Sequence, residues 1–430
     1  MGEDYCECKK GEIIVSVKKV SIKRKNRAWV TAYFGCALGA GILFIPVQAG
    51  QSGIYESIVT MILSFIVMYL AQKYFTIILN RAKTNRGFDK SIEEYLGAKW
   101  SLIISILYIL IMYAAMVAYA TAINSSIPEL LDRYGLANAS LSRNPLFTLI
   151  LIVCFTVFPM ISERFLLAVM ERVSQALFVL LVITGLMFIP YWNLEMFSHV
   201  ELNWYTILKN FLLCFPIFLY ATIYYPTISP LVTDYKTTFP ELSVEEREKN
   251  VVLVTKRASI LLGIFVMFFT ISAVLALTPG TLERAIQQNT STLAVIGFGE
   301  QNVSAYLHVF RIVGFLTLIS ALTTSYYGSV LGIVDITKGF FPKKYSRLVV
   351  NLTNILMALT LYLIVILNIK VLDVIGIVET PIAGFIVFII PIFLFYTRKQ
   401  FKNNRGKVAI IVGLSGILVM FSFLLGRILP

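Results

Sequence analysis

Apolar residues fall in long unbroken runs along this chain, separated by short polar stretches, and this pattern predicts helices that cross a membrane. From Ala28 to Gly50 no residue is charged. At about 1.5 Å of rise per residue that run reaches roughly 34 Å, enough to span the hydrocarbon core. Ten further runs give about eleven spans, near residues 28–50, 53–79, 100–127, 145–161, 166–190, 207–232, 258–278, 303–334, 348–368, 371–396 and 408–426. The polar stretches between them alternate in charge. Lys18, Lys19, Lys23, Arg24, Lys25 and Arg27 precede the first span, and Arg81, Lys83, Arg86 and Lys90 follow the second. Lys236, Arg247, Lys249, Lys256 and Arg257 follow the sixth, Lys338, Lys343, Lys344 and Arg347 the eighth, and Arg398, Lys399, Lys402, Arg405 and Lys407 the tenth. The opposite loops carry only Arg133, Arg143, Arg284 and Lys370. Basic residues stay on the cytoplasmic side, so the amino terminus is expected in the cytoplasm and the carboxyl terminus outside. No loop is long enough for a soluble domain. The expected organisation is a basic tail over 1–27 and one membrane domain over 28–426. The longest cytoplasmic loop, 233–257, is expected to hold a short solvated helix.

Two spans are interrupted by residues that break helices. The first contains Gly35-Cys36-Ala37-Leu38-Gly39-Ala40-Gly41-Ile42-Leu43-Phe44-Ile45-Pro46. Glycine loses backbone entropy in a helix interior and leaves its neighbours uncovered. The run therefore marks close helix packing or an unwound segment. The unwound reading leads, because irregular backbone inside a bilayer is tolerated where it serves a cavity. The sixth span carries Pro216, Pro226 and Pro230, each lacking a helical donor, with Tyr220-Ala221-Thr222-Ile223-Tyr224-Tyr225 between the first two. Breaks five spans apart fit two inverted repeats of five helices, about 28–190 and 207–396, with an extra helix at about 408–426.

Composition removes several alternatives. Hydrophobic residues make up 58% of the chain and charged residues 14%, with a mean hydropathy of +0.79. A soluble protein of this size has no interior to hide that surface. The net charge of +13 sits in short runs between spans, which argues for membrane topology and against nucleic acid. Residues 1–22 are polar with scattered apolar positions, unlike a cleavable signal peptide. Cys36, Cys154 and Cys214 lie within spans as small apolar fillers, and Cys6-x-Cys8 is a weak metal signal in a basic tail. Neither a nucleophile elbow nor a phosphate loop occurs, and the two histidines, His199 and His308, lie near predicted span ends. Nothing points to an enzyme or a cofactor.

Polar residues inside spans are the remaining candidates. In the eighth, Thr323-Thr324-Ser325 either bond carbonyls one turn back or help complete an oxygen cage for a hard cation. In the tenth, Glu379 is a carboxylate that costs about 2.5–3.5 kcal/mol at membrane depth. It either faces a cavity, in a proton-coupling or gating role, or lies near enough to the outer surface to stay hydrated.

Trp29 to Gly50, with its Gly-Ala-Gly-Ile-Leu-Phe-Ile-Pro core and Gln48-Ala49-Gly50, resembles the first helix of the hydroxy/aromatic amino acid permeases, bacterial carriers of the amino acid–polyamine–organocation superfamily. The serine/threonine permease branch is the most similar. Tyr108, Tyr113 and Tyr119 in the third span, Leu277-Thr278-Pro279 with Gln288-Asn289, Gly328 to Gly332, and Glu379-Thr380 extend the resemblance over nearly the whole chain from Trp29. It implies an all-α integral membrane protein of LeuT-like fold: five plus five inverted helices and one more, with the first and sixth interrupted. The implied amino-acid site lies between spans one, three, six and eight. Backbone around Gly39, Ala40 and Gly41 would take the substrate carboxylate, as the positive end of a half-helix favours an anion. Carbonyls near Tyr220 and Ala221 would take the ammonium, with Cys36, Tyr113, Thr222 and Tyr224 shaping the pocket.

Two positions depart from that branch. It has Asn-His-Ser-Pro where this chain reads Ile223-Tyr224-Tyr225-Pro226, which removes polar groups from the pocket. It has a lysine where this chain has Thr324. Thr324 and Ser325, with Ala321 and carbonyls of Gly35 and Leu38, instead resemble the sodium site of sodium-coupled members of the wider fold. The expected function is import of a neutral amino acid, serine- or threonine-like or larger and apolar or aromatic, across the bacterial inner membrane. The coupling ion is a proton or sodium, with Glu379 the proton candidate. The rival class is a non-transporting amino-acid sensor on the same fold. Expected partners are the amino acid, the coupling ion and the bilayer, and no nucleic acid.

Overall fold

The computed structural model describes residues 21–84, 87–136, 138–161, 163–193, 203–295, 305–341 and 346–429. The tail with Cys6, Cys8, Lys18 and Lys19, and Arg86, His199, Lys343 and Lys344, lie outside the described residues. Among the described residues every regular element is helical, and eight helices are long and apolar enough to cross a membrane. A ninth span is the bent pair α1 (Ser21–Ala37) and α2 (Ala40–Ser52). Two further apolar helices, α6 (Pro145–Ile161) and α7 (Glu163–Met187), stand where the fourth and fifth spans were expected. The second and third spans are α3 (Ile54–Arg81) and α5 (Ala98–Arg133), joined through a short amphipathic helix α4 (Phe88–Leu96). Phe88, Ser91, Ile92 and Tyr95 recur every three or four residues in α4 and are its buried face. Burial pushes the Tyr95 phenol well above its ordinary pKa, so it stays protonated and donates to the Ile78 carbonyl (2.9 Å).

The sixth span is two helices, α8 (Trp204–Tyr220) and α9 (Tyr225–Thr238). The seventh, α10 (Val244–Leu275), differs from expectation at its start. The loop expected to hold a separate solvated helix runs continuously into the span, because a capping box at Ser243 and Glu246 nucleates the helix there. The polar loop after it forms α11 (Pro279–Gln287) and a single turn, α12 (Thr292–Val295). Then follow α13 (Ala305–Gly339), α14 (Ser346–Ile366), α15 (Val371–Thr397) and α16 (Lys407–Ile428). Two π-helical segments, Val374–Glu379 and Gly384–Ile389, interrupt α15.

Small residues let helices approach closely. A Cβ on Gly376 would lie 2.5 Å from the Phe423 ring, and one on Gly416 would lie 2.5 Å from the Phe388 Cβ. Glycines on both sides thus set the seam between α15 and α16, since lipid gives little other reason for helices to associate.

The polar loops gather at the two ends as their charges predict. At one end Arg81 pairs with Glu248 (2.7 Å) and donates to the Gln400 carbonyl, while Arg247 donates to Asn80 (2.8 Å). Lys236 caps the end of α3 by donating to the carbonyls of Leu79, Ala82 and Thr84 (3.1, 2.6 and 2.8 Å). At the other end Arg284 pairs with the buried Glu129 (3.1 Å), and Arg427 pairs with Asp373. There Asn289, at a positive φ of 53°, ties the loop after α11 to the start of α15. Its side chain donates to the Ile369 carbonyl (2.9 Å) and accepts from the Val371 N–H (3.0 Å).

Candidate functional site

The two interruptions meet inside the bundle. Span one turns by 54° between α1 and α2, with Leu38 and Gly39 outside either helix. Gly39 is the residue before α2 and has no side chain to cap it, so the first amides of α2, at Ala40, Gly41 and Ile42, keep the free donors of a helix start. A Cβ on Gly41 would lie 3.1 Å from Ala221 Cα, so the backbones of the two breaks are in van der Waals contact there. One on Gly39 would lie 2.8 Å from Ser325 Oγ and 2.9 Å from the Tyr119 hydroxyl. Only glycine fits at either place without a shift of its neighbours.

The second break, Ala221 to Tyr224, spends most of its backbone groups. The Tyr220 carbonyl accepts from Ile223 N–H (3.2 Å) and that of Tyr224 from Thr227 N–H (3.0 Å). The Thr222 carbonyl accepts from Gln72 Nε2 (3.1 Å) and the Tyr224 N–H donates to Gln72 Oε1 (2.8 Å). No described donor bonds the Ala221 carbonyl. An unengaged carbonyl at Ala221 and the uncapped amides at the start of α2 thus belong to neighbouring backbone where the two breaks meet.

Some expected pocket residues turn elsewhere. The Tyr224 ring stacks on Tyr33 of α1 at 4.5 Å between centroids, and its hydroxyl bonds the Thr255 carbonyl (3.1 Å) and Ser259 of α10. Tyr224 joins α1 to α10 and points away from the meeting of the breaks. The Thr222 hydroxyl donates back to the Leu219 carbonyl (3.2 Å). Cys36, half-buried, lies beside Thr227 of α9. Tyr113 lies towards Tyr326 and Thr360. Six residues turn a helix by about 600°, so Tyr113 and Tyr119 occupy different faces of α5. Tyr119 is the one at Gly39.

Of the ion candidates, Ser325 and Leu38 come together: the Ser325 hydroxyl donates to the Leu38 carbonyl (3.3 Å). The Gly35 carbonyl belongs to the last turn of α1, where helix geometry leaves acceptors open. Thr324 donates to the carbonyls of Ser320 (2.9 Å) and Ala321 (3.1 Å) within its own helix. Glu379 is fully buried, and neither carboxyl oxygen has a hydrogen-bond partner among the described residues. It lies eight residues into α15, roughly 12 Å from the helix start, at the end of the first π segment. The phenols of Tyr220 and Tyr119 are its electrostatic neighbours.

Sequence reasoning gave no role to Gln72, Tyr33 or Ser259, and placed Tyr119 only by resemblance. Gln72 carried a signal, since an amide in the middle of an apolar run needs partners. A cavity of about 310 Å³ opens at the Arg284 end, lined by Phe44 and Gln48 of α2 with Lys209, Leu213, Asn289 and Arg427.

The sequence profile of the tryptophan/tyrosine permease family matches residues 26–429. The chain belongs to that family. It is a family of membrane permeases and not of enzymes. Over 409 residues the permease is 26% identical to a serine transporter of Escherichia coli O157:H7, covering 92% of this chain and 90% of the relative. It is 23% identical to a threonine/serine transporter of Yersinia enterocolitica, with 95% and 97% covered. Among solved structures it is similar to a manganese transporter of Eremococcus coleocola (TM-score 0.57, 15% identity, 93% and 85% covered). It is also similar to a sodium-coupled sialic acid symporter in an outward-open state (TM-score 0.56, 13% identity, 94% and 89% covered). At these identities the two structures speak for the fold alone, and that fold is LeuT-like.

Proposed function

We propose that the permease imports a neutral amino acid, with the substrate held between the two broken spans. The observation that carries this is the contact of Gly41 with Ala221, which brings the uncapped start of α2 next to the residue whose carbonyl is unengaged. A carboxylate fits the donors and an ammonium fits the acceptor. The side chains at the junction, Tyr119, Tyr220 and Ser325, carry no fixed charge, which favours a neutral side chain on the substrate. The serine and threonine transporters among its relatives support a small hydroxylated one. The alternating loop charges support an amino terminus in the cytoplasm and a carboxyl terminus outside, with the cavity at Phe44 and Gln48 as the external mouth. Repeats over about 28–190 and 207–396 agree with the two breaks lying five spans apart.

Coupling to protons is the reading we favour. Glu379 is buried two turns into α15 with no hydrogen-bonded counter-charge among the described residues, and a carboxyl at that depth can take up and release one proton as transport changes its exposure. The membrane potential is worth about 2.3 kcal/mol per charge per 100 mV, which sustains roughly fiftyfold accumulation of a neutral substrate. The approach of Ser325 to the Leu38 carbonyl supports a second reading, in which sodium, as co-transported cargo, takes those oxygens with the carbonyls of Gly35 and Ala321.

Uptake into proteoliposomes, competed by each of the twenty amino acids, tests the function. Competition by a restricted set of neutral amino acids is expected. Binding without uptake would replace the importer by a sensor, and no binding would overturn the site.

A further inference from the structure

We infer that Gln72 is a positioning residue that fixes the unwound segment of the sixth span in its substrate-accepting shape, an inference that rests on the amino-acid site proposed above. Gln72 is fully buried within α3. Its side-chain amide reaches the non-helical residues between α8 and α9 and makes one bond of each kind. Nε2 donates to the Thr222 carbonyl and Oε1 accepts from the Tyr224 N–H. The orientation of the amide is forced by its partners, because a carbonyl only accepts and a backbone N–H only donates.

The need for such a clamp follows from the sequence of the break. Pro226 has no N–H to return to Thr222, so the carbonyl that a continuous helix would satisfy is orphaned. The Tyr224 N–H is orphaned in turn, since the helix that would have received it stops at Tyr220. In a bilayer no water replaces those partners. One glutamine satisfies both and leaves the preceding carbonyl, that of Ala221, free. It also aims Tyr224, whose ring rests on Tyr33 of α1 and whose hydroxyl reaches α10. Gln72 is held in turn by its own helix: Thr76 donates to the Gln72 carbonyl (2.7 Å) and meets Thr255 of α10 (3.2 Å). The second break is thus keyed to α3 and α10, and the first is carried with it through Tyr33.

The clamp requires a donor and an acceptor on the same side chain, which distinguishes it from mere filling of space. In Gln72→Glu the ionised carboxylate accepts from Tyr224 but cannot donate to Thr222, whereas the protonated acid does both. The ratio of substrate Kd in Gln72→Glu to that in the wild type is therefore expected near one in acid, rising roughly tenfold or more as pH is raised between about pH 5 and pH 9. Gln72→Leu is expected to weaken binding by roughly tenfold or more at every pH. Hydrogen–deuterium exchange of the peptide covering Ala221 to Tyr225, measured on detergent-solubilised full-length protein, should accelerate by roughly tenfold in Gln72→Leu. That measurement needs no substrate. If the wild type binds no amino acid, the functional reading fails while exchange still decides the clamp. Unchanged exchange in Gln72→Leu would overturn the clamp. Should that variant not accumulate, a pH-independent ratio for Gln72→Glu would do the same.

Discussion

The two broken spans solve the same problem in opposite ways. In span one the break is two residues long, is made by glycine, and no side chain caps it. In span six it is four residues long, is framed by prolines, and a side chain from another helix satisfies its backbone on both sides. A glycine at the helix start costs a few tenths of a kcal/mol relative to a good side-chain cap. That cost falls at Gly39, where a substrate carboxylate can offset it. A clamped break costs little and holds its shape without a ligand. The first break therefore leaves its donors open, while the second is a clamped wall in which no described donor bonds the Ala221 carbonyl. On the proposed function, affinity for the carboxylate and geometry for the ammonium would fall to different spans.

The largest expected effect comes from forcing the two breaks apart. A Cβ at Gly41 already lies 3.1 Å from Ala221 Cα, a backbone atom that cannot rotate aside. Gly41→Val should abolish measurable substrate binding while the protein still inserts, and Gly41→Ala should weaken binding by about tenfold. Equilibrium binding to purified protein checks both. Normal binding by Gly41→Val would reduce the first break to a packing feature and remove the contrast between the two.

Next in size is the carboxyl beside them. Glu379→Gln keeps the volume and loses the exchangeable proton. In sodium-free vesicles, uptake driven by an inward pH gradient should fall by more than about tenfold, while exchange of labelled for unlabelled substrate at equal pH persists. Unaltered pH-driven uptake would mean that another group carries the proton and would remove Glu379 from the coupling.

Much of this was legible in the chain before any coordinates. The spans, their alternating charges and the positions of both breaks follow from apolar run length, glycine and proline, which act locally. Gly39 and Gly41 were legible as glycines that something must approach, though not what approaches. Tyr224 shows the limit. It lies within the break, and its neighbourhood in sequence suggested the pocket, yet stacking on Tyr33 and bonding to α10 turn it away. Its rotamer is chosen by partners about 190 and 30 residues distant along the chain, which no local pattern encodes. The same is true of Gln72. Its oddity in an apolar run was visible, but its partners are 150 and 152 residues away. Tyr113 and Tyr119 could be separated by helical phase alone, once one of them was tied to a neighbour.

The smallest effects separate two adjacent hydroxyls of α13, and they ask whether the first break serves an ion as well as a carboxylate. Ser325 turns across the helix interface to the Leu38 carbonyl, on the open side of the break. Thr324 turns back to Ser320 and Ala321, the local bonding that a hydroxyl in an apolar helix adopts when no partner is offered. If sodium is carried at this point, its oxygen shell draws on Ser325 directly, while Thr324 must first give up two bonds of its own helix. Ser325→Ala should then raise the sodium concentration for half-maximal uptake by about threefold to tenfold, and Thr324→Ala by less than about twofold. Uptake titrated with sodium at fixed pH reads both numbers in one series. Equal shifts would mean that Thr324 breaks its helical bonds to reach the ion. No shift in either, with uptake still following pH, would leave Ser325 as a peg that holds the unwound Leu38 in place and would return the coupling wholly to Glu379.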